Sequence, residues 1–139
     1  MRRKTARKFA VSVGLCATLL GGMAYAEHKD IDLKDYDDDL MHDVDRVLKF
    51  FEPDITAGNA ANALDDAGVI RDGFTYSKGY FSKKGNAEDA VKIAQDGLDL
   101  VASIEKSVEA KDFSGAATLA RQVPNTCKAC HEIYKPRNK

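Results

Sequence analysis

The chain has 139 residues, 44% hydrophobic and 31% charged, with three cysteines and a formal net charge of −1. That length fits a single compact domain, and past residue 26 no apolar run is long enough to span a bilayer. The absence of a basic excess makes the chain a poor ligand for nucleic acid or an anionic membrane.

Arg2, Arg3, Lys4, Arg7 and Lys8 form a basic head, followed by an apolar stretch from Phe9 to about Met23 and the small-residue site Ala24-Tyr25-Ala26. This order reads as a secretory signal peptide over residues 1–26, removed on export, and the short apolar stretch argues against an uncleaved anchor. Leu15 before Cys16 speaks against a lipid-modified cysteine, and Arg2-Arg3 lacks the apolar pair of a twin-arginine signal. Residues 27–139 are then the mature domain, expected in the periplasm. Loss of five cations with the leader takes the formal charge from −1 to −6 and leaves Cys127 and Cys130 as the remaining thiols. Such an acidic chain is attracted to basic patches on a partner.

The first helical pattern runs from about Asp32 to Phe51, with Leu33, Tyr36, Leu40, Val44, Val47, Leu48 and Phe51 at steps of three and four. Pro53 is expected to end it. Asp35, Asp37, Asp38 and Asp39 suit a helix start, where negative charge favours the dipole; a docking patch for a basic partner is the functional alternative. A second pattern begins near Asp54 and reaches about Phe81 through Ala60, Ala63, Leu64, Ala67, Ile70 and Phe74. Gly68, Gly73 and Gly79 each weaken it by roughly 1 kcal/mol, so the stretch from Gly73 to Gly79 reads as helix or as an irregular break.

Ser82-Lys83-Lys84-Gly85 is the next break, with Asn86 as N-cap and Glu88 and Asp89 in the first turn. The third helix reaches about Ala110 with two stripes, one of Val91, Ala94, Leu98, Val101 and Ala102, the other of Ile93, Leu100, Ile104 and Val108. A broad core contact explains both; a face given to a cofactor or a second subunit is the alternative. Asp112 or Ser114 caps a fourth helix, from about Phe113 to Tyr134, which Pro124 kinks or restarts and Pro136 ends. The sequence shows no strand-like alternation. The expected fold is all-α, an antiparallel up-down-up-down four-helix bundle with room for a cofactor between helices.

Cys127-Lys128-Ala129-Cys130-His131 carries the chemistry. The Cys-x-x-Cys-His spacing is the attachment signature of c-type haem: two thiols can bond the vinyl groups of one porphyrin while the adjacent imidazole reaches its iron. A disulfide or thiol-redox pair is the competing reading, although such motifs usually open a βαβ unit. A zinc site would need more ligands than His28 and His42 supply. The favoured reading is one covalent haem c with His131 as proximal iron ligand. On a helix, Cys127, Cys130, His131 and Tyr134 share one face. Tyr134 either packs on the porphyrin edge with its hydroxyl outward or is an ordinary core aromatic. Lys128 and Lys135 either hydrogen-bond propionates or stay in solvent, and solvent is preferred for Lys128.

With Tyr134 and the basic Lys135 after it, at the end of four helical patterns, the pentapeptide resembles the cytochrome c′ family. The resemblance covers the mature chain in architecture and about the last ten positions in specific residues. It implies a four-helix haem domain, often paired as a homodimer, although no residue here establishes the pairing. Arginine is usual in the family at the position of Lys135, and lysine keeps the charge without the bidentate geometry. Members with an apolar distal residue are five-coordinate and bind nitric oxide or carbon monoxide; members with a first-helix methionine are six-coordinate, low-spin electron carriers.

The distal candidates are Leu40, Met41 and His42. At about 100° per residue from Leu33, Leu40 lies inside the apolar stripe, Met41 about 80° from its centre beside Leu48, and His42 near 180°. Met41 is the expected distal ligand; an open site facing Leu40 comes next, then His42, then His28. The functional expectation is a periplasmic one-electron carrier whose partners are redox proteins, with a gas-binding module as the alternative. No distal base, second metal or paired carboxylates accompany the motif, which argues against an enzyme.

Overall fold

The computed structural model describes residue 29 and residues 31–135. The expected leader, His28 and Pro136 lie outside them. The described residues form five helices and no strand: α1 Asp38–Thr56, α2 Ala60–Lys84, α3 Glu88–Glu109, α4 Phe113–Ala120 and α5 Val123–Tyr134. The last two divide the fourth expected helix, and the restart falls next to Pro124.

The first helix begins at Asp38 rather than near Asp32 because the residues before it use their polar groups locally. The Lys34 N–H donates to the Asp32 carboxylate at 3.1 Å, and the Tyr36 N–H to the Leu33 carbonyl at 2.9 Å. Asp37 then caps α1, accepting from the Leu40 N–H at 3.0 Å, with Asp38 and Asp39 in the first turn. At its other end α1 corrects the sequence expectation by running through Pro53 to Thr56. A proline inside a helix costs about 3 kcal/mol. Phe51 and Ile55, on either side of Pro53, are 1% and 0% exposed. Burying a side chain of that size stabilises by roughly 1.5–3 kcal/mol, a gain of the same order as the cost of the proline, and the helix continues with Ile55 in the core.

The second helix is unbroken from Gly73 to Gly79. Gly73 faces α1 so closely that a Cβ there would lie 2.6 Å from Val44 Cγ2. Its role is close approach of two helices, not a break. Asn86 is not the cap of α3: its φ of +53° completes the turn after Gly85, and the buried Ala87 takes the cap position. On α3 the two apolar stripes merge into one core face of Ala90, Ala94, Gly97, Val101, Ile104 and Val108, with Leu98 and Leu100 at its margins and Ala102 exposed. Asp112 caps α4 by accepting from the Gly115 N–H at 2.9 Å.

Cross-helix pairs run in opposite chain directions. Tyr36 meets Ser77 while Val44 meets Gly73 on α2; Lys78 meets Gln95, Phe74 meets Gly97, and Arg71 meets Glu105 on α3. This is compatible with the expected up-down-up-down bundle. α2 packs on α1 and α3, and α4 fits against both α1 and α3, whereas α5 packs chiefly on α3 and leaves α1. The core divides accordingly. The larger part fills the bundle around Phe51, Ile55, Ile70, Val101 and Ile104. The smaller gathers Phe81, Ala87, Ala90 and Tyr134 at the end where α5 stops. Among the described residues no helix is long and apolar enough to cross a membrane.

A methyl group at Gly97 would lie 2.5 Å from the ring of the buried Phe74. Overpacking of this kind costs about 1–3 kcal/mol, so Gly97→Ala is expected to lower the urea midpoint. Gly79 has nothing within 4 Å of the corresponding position, and Gly79→Ala is expected to raise the midpoint through helix propensity alone.

Candidate functional site

The gap between α1 and α5 is a cavity of about 970 Å³. Its α5 wall carries Cys127, Cys130, His131 and Tyr134, with Lys135 at the edge; its α1 wall carries Asp38, Met41, His42 and Val44. Ile70, Phe74, Ser77 and Phe81 of α2 and Ile93 and Ala94 of α3 form the floor, and residues 31–34 with Tyr36 close one side. Cys127, Cys130, His131, Tyr134, Lys135 and Met41 therefore border one space. The C-x-x-C-H face reaches it because α5 is helical through the motif, which sets Cys127, Cys130, His131 and Tyr134 on one side.

Cys127 and Cys130 are free and half-buried, one packed against each part of the core. Burial, reinforced by Asp45, pushes the Cys127 thiol up to about 11; burial, reinforced by the neighbouring Cys127, does the same for Cys130. Both are neutral thiols at pH 7. Among the described residues no group of three or more His, Cys, Asp or Glu side chains is placed to hold a metal ion. His131 stands exposed at the rim, and partial desolvation, followed by the charge of Lys135, lowers its pKa below 6.5 against the opposing pull of Asp45. Lys135 is exposed; Lys128 faces solvent, 3.7 Å from Glu132.

On α1 the inward series is Met41, Val44, Leu48, Phe51 and Ile55, spaced by alternating threes and fours, with Val47 packed beside Leu48. Leu40 packs in neither part of the core and does not line the cavity, so Val44 takes the apolar place expected for it. The phase differs because Leu33 precedes the helix and cannot set its stripe. His42, expected opposite the core, is exposed but reaches the cavity mouth beside Asp38 and Lys34. The Met41 sulfur lies 3.7 Å from the Tyr36 hydroxyl, which is 2.6 Å from Ser77 Oγ.

Tyr134 is buried, with its ring 4.7 Å from that of Phe81. Its hydroxyl is not directed outward: it donates to the Asp89 carboxylate, which also pairs with Lys29 at 2.9 Å. The Lys29 N–H donates to the Ile133 carbonyl at 2.9 Å. This clasp ties Lys29 to the ends of α3 and α5 beside the cavity. The sequence reading missed Lys29, Asp89, Ser77 and the true setting of Tyr36. Tyr76, Ser77, Tyr80 and Phe81 at three-to-four spacing were the available signal for an aromatic face on α2, and Tyr36 joins it with T-shaped contacts to Tyr76 and Tyr80 at 5.2 and 4.8 Å.

A c-type haem requires two thiols a helical turn apart, an adjacent imidazole and, for six-coordination, a ligand from the opposite wall. Cys127, Cys130, His131 and Met41 supply that donor set around one cavity. Its volume is at the upper end of the roughly 300–1,000 Å³ usual for small-molecule and cofactor sites. The residues present fit the group. No family model, curated protein or solved structure matches the chain.

The clasp gives the fold a pH dependence. Burial alone would raise the Asp89 pKa, but hydrogen bonds from Tyr134 and Lys29 outweigh it and hold the carboxyl below 3.8. Its contribution is full above an unfolded-chain pKa of about 4 and is lost as pH falls through the depressed value. Its hydrogen bond to Asp89, then that to Tyr134, raises Lys29 above 10.5, while burial, then Asp89, pushes Tyr134 up to about 12. Those contributions are full below about pH 10 and fade as pH rises through the raised values. The stability gap between wild type and Asp89→Asn is expected to be flat near neutrality and to shrink at both extremes in urea titrations. A gap that does not change with pH counts against the clasp.

Proposed function

We propose that the cavity holds one haem c, attached through Cys127 and Cys130, with His131 as proximal ligand and Met41 as distal ligand. On this reading the protein is an exported, periplasmic one-electron carrier of the cytochrome c′ kind, in its six-coordinate low-spin branch, and not an enzyme. What supports it is the meeting of the Cys-x-x-Cys-His face of α5 with Met41 of α1 across a single cavity. Held between histidine and methionine, haem iron supplies one-electron chemistry at a potential above that of a bis-histidine site.

The chain's own residues give that chemistry its setting. Val44, Ile70, Phe74, Phe81 and Ile93 line the cavity with apolar surface and limit water around the ligands. The exposed Lys135 is available to a propionate at the rim. Asp32, Asp35, Asp37, Asp38 and Asp39 are exposed beside the same opening, and a redox partner with a basic docking surface matches their charge. One observation favours a second reading, a five-coordinate binder of nitric oxide or carbon monoxide: the Met41 sulfur already has a neighbour in the Tyr36 hydroxyl.

Absorption spectra of the purified protein, oxidised and reduced, with and without carbon monoxide, separate the readings. The carrier predicts covalently retained pigment and a low-spin reduced spectrum that carbon monoxide leaves largely unchanged. Met41→Ala is expected to give five-coordinate iron that binds carbon monoxide readily, and His42→Ala an unaltered spectrum. High-spin wild type with rapid carbon monoxide binding moves the assignment to the gas binder. A protein that retains no pigment after denaturation and extraction sinks both.

A further inference from the structure

We infer that Tyr36 is the positioning residue for Met41, an inference that rests on the haem reading above. Met41 is bracketed. On one side Gly73 leaves room, since a Cβ there would stand 3.4 Å from the Met41 methyl carbon. On the other side the Tyr36 hydroxyl lies 3.7 Å from the sulfur. Tyr36 is itself packed against α2's aromatic face: its ring meets Tyr76, Tyr80 and Phe81 at 5.2, 4.8 and 6.1 Å. Its N–H closes a turn onto the Leu33 carbonyl.

The protons of this small network follow from the strength of its acceptors. Ser77 has one, and its Oγ lies 2.8 Å from the Gly73 carbonyl, which can only accept. The Tyr36 hydroxyl is 2.6 Å from the same Oγ, and with the Ser77 proton on the carbonyl, the stronger acceptor, the proton between the two oxygens comes from Tyr36. A thioether is a weak acceptor beside a hydroxyl oxygen, which directs the proton the same way. Tyr36 therefore spends its only proton on Ser77 and touches the Met41 sulfur without capturing it. The sulfur keeps its lone pairs for the cavity while its side chain is held at the wall. This removes the competition that favoured an open distal face.

Loss of a partner that orients a metal ligand typically costs 10–100-fold in affinity or activity. In the haem-loaded full chain, Tyr36→Phe is expected to lower the carbon monoxide concentration for half-conversion of the ferrous protein by about 10–100-fold. Its far-ultraviolet circular dichroism should match wild type. Ser77→Ala, which frees the Tyr36 proton for the sulfur, is expected to shift the titration in the same direction, and Ser77→Thr, which keeps the hydroxyl, to restore wild-type behaviour. Should Tyr36→Phe fail to fold, the serine pair decides. Wild-type titrations for Tyr36→Phe and Ser77→Ala, alongside ready conversion of Met41→Ala, overturn the inference and leave the haem reading standing. A Met41→Ala titration identical to wild type overturns methionine ligation, and the inference with it.

Discussion

A helix running unbroken through Val123 and Pro124 would lack the proline N–H that its preceding turn requires. The chain avoids this by stopping α4 at Ala120 and opening α5 with Pro124 in the first turn, where backbone N–H groups have no intrahelical partner in any case. Gln122 bridges the break, its carbonyl accepting from the Asn125 and Thr126 N–H groups at 3.0 and 3.3 Å. Arg121 holds the end of α4 to α1 through Glu52 at 2.6 Å. From there α4 stays with α1, while α5 follows α3. The cavity opens between α1 and α5, the helix that this restart begins.

The divided core explains the chemical state of the two cysteines. Each packs against a different part of the hydrophobic interior, so both are sheltered enough for burial to keep them protonated. A redox-active or metal-binding pair is usually pulled the other way, toward thiolate, by a helix N-terminus or nearby cations. Here the motif occupies the last turns of α5 rather than its start, and the charge acting on Cys127 is the carboxylate of Asp45.

The helical class, the restart at Pro124 and the face shared by the motif were legible because each depends on local chemistry: apolar period, a missing N–H, and side chains one turn apart. The errors came where tertiary burial overrode local preference. Pro53 reads as a stop, yet Ile55 beyond it is wholly buried. Gly73 reads as a weakness in α2, yet it is where Val44 and Met41 enter. The start of α1 was misplaced because Leu33 and Tyr36 keep the helical period while their backbone forms a turn. That one error carried Leu40 onto the inner face and left Tyr36 as a core residue instead of a neighbour of Met41. Lys29 and Asp89 lay beyond reach, since an ion pair between residues sixty positions apart leaves no periodic trace.

Met41 occupies the core register itself, one step before Val44 in the series that ends at Ile55. Its position is therefore set by the same packing that holds α1 against α2, and Gly73 makes that packing close enough for both Val44 and Met41 to fit. A cavity-facing residue placed in this way is not free to vary independently of the bundle. Leu40 or His42 would have to be brought inward by rotating α1, which would pull Phe51 and Ile55 out of the interior and expose two of its largest fully buried side chains. At roughly 1.5–3 kcal/mol for each, that rotation would forfeit a large share of a small domain's net stability of about 5–15 kcal/mol. The choice of residue facing the cavity from α1 is thus made far from the cavity, by the two side chains at the other end of the helix.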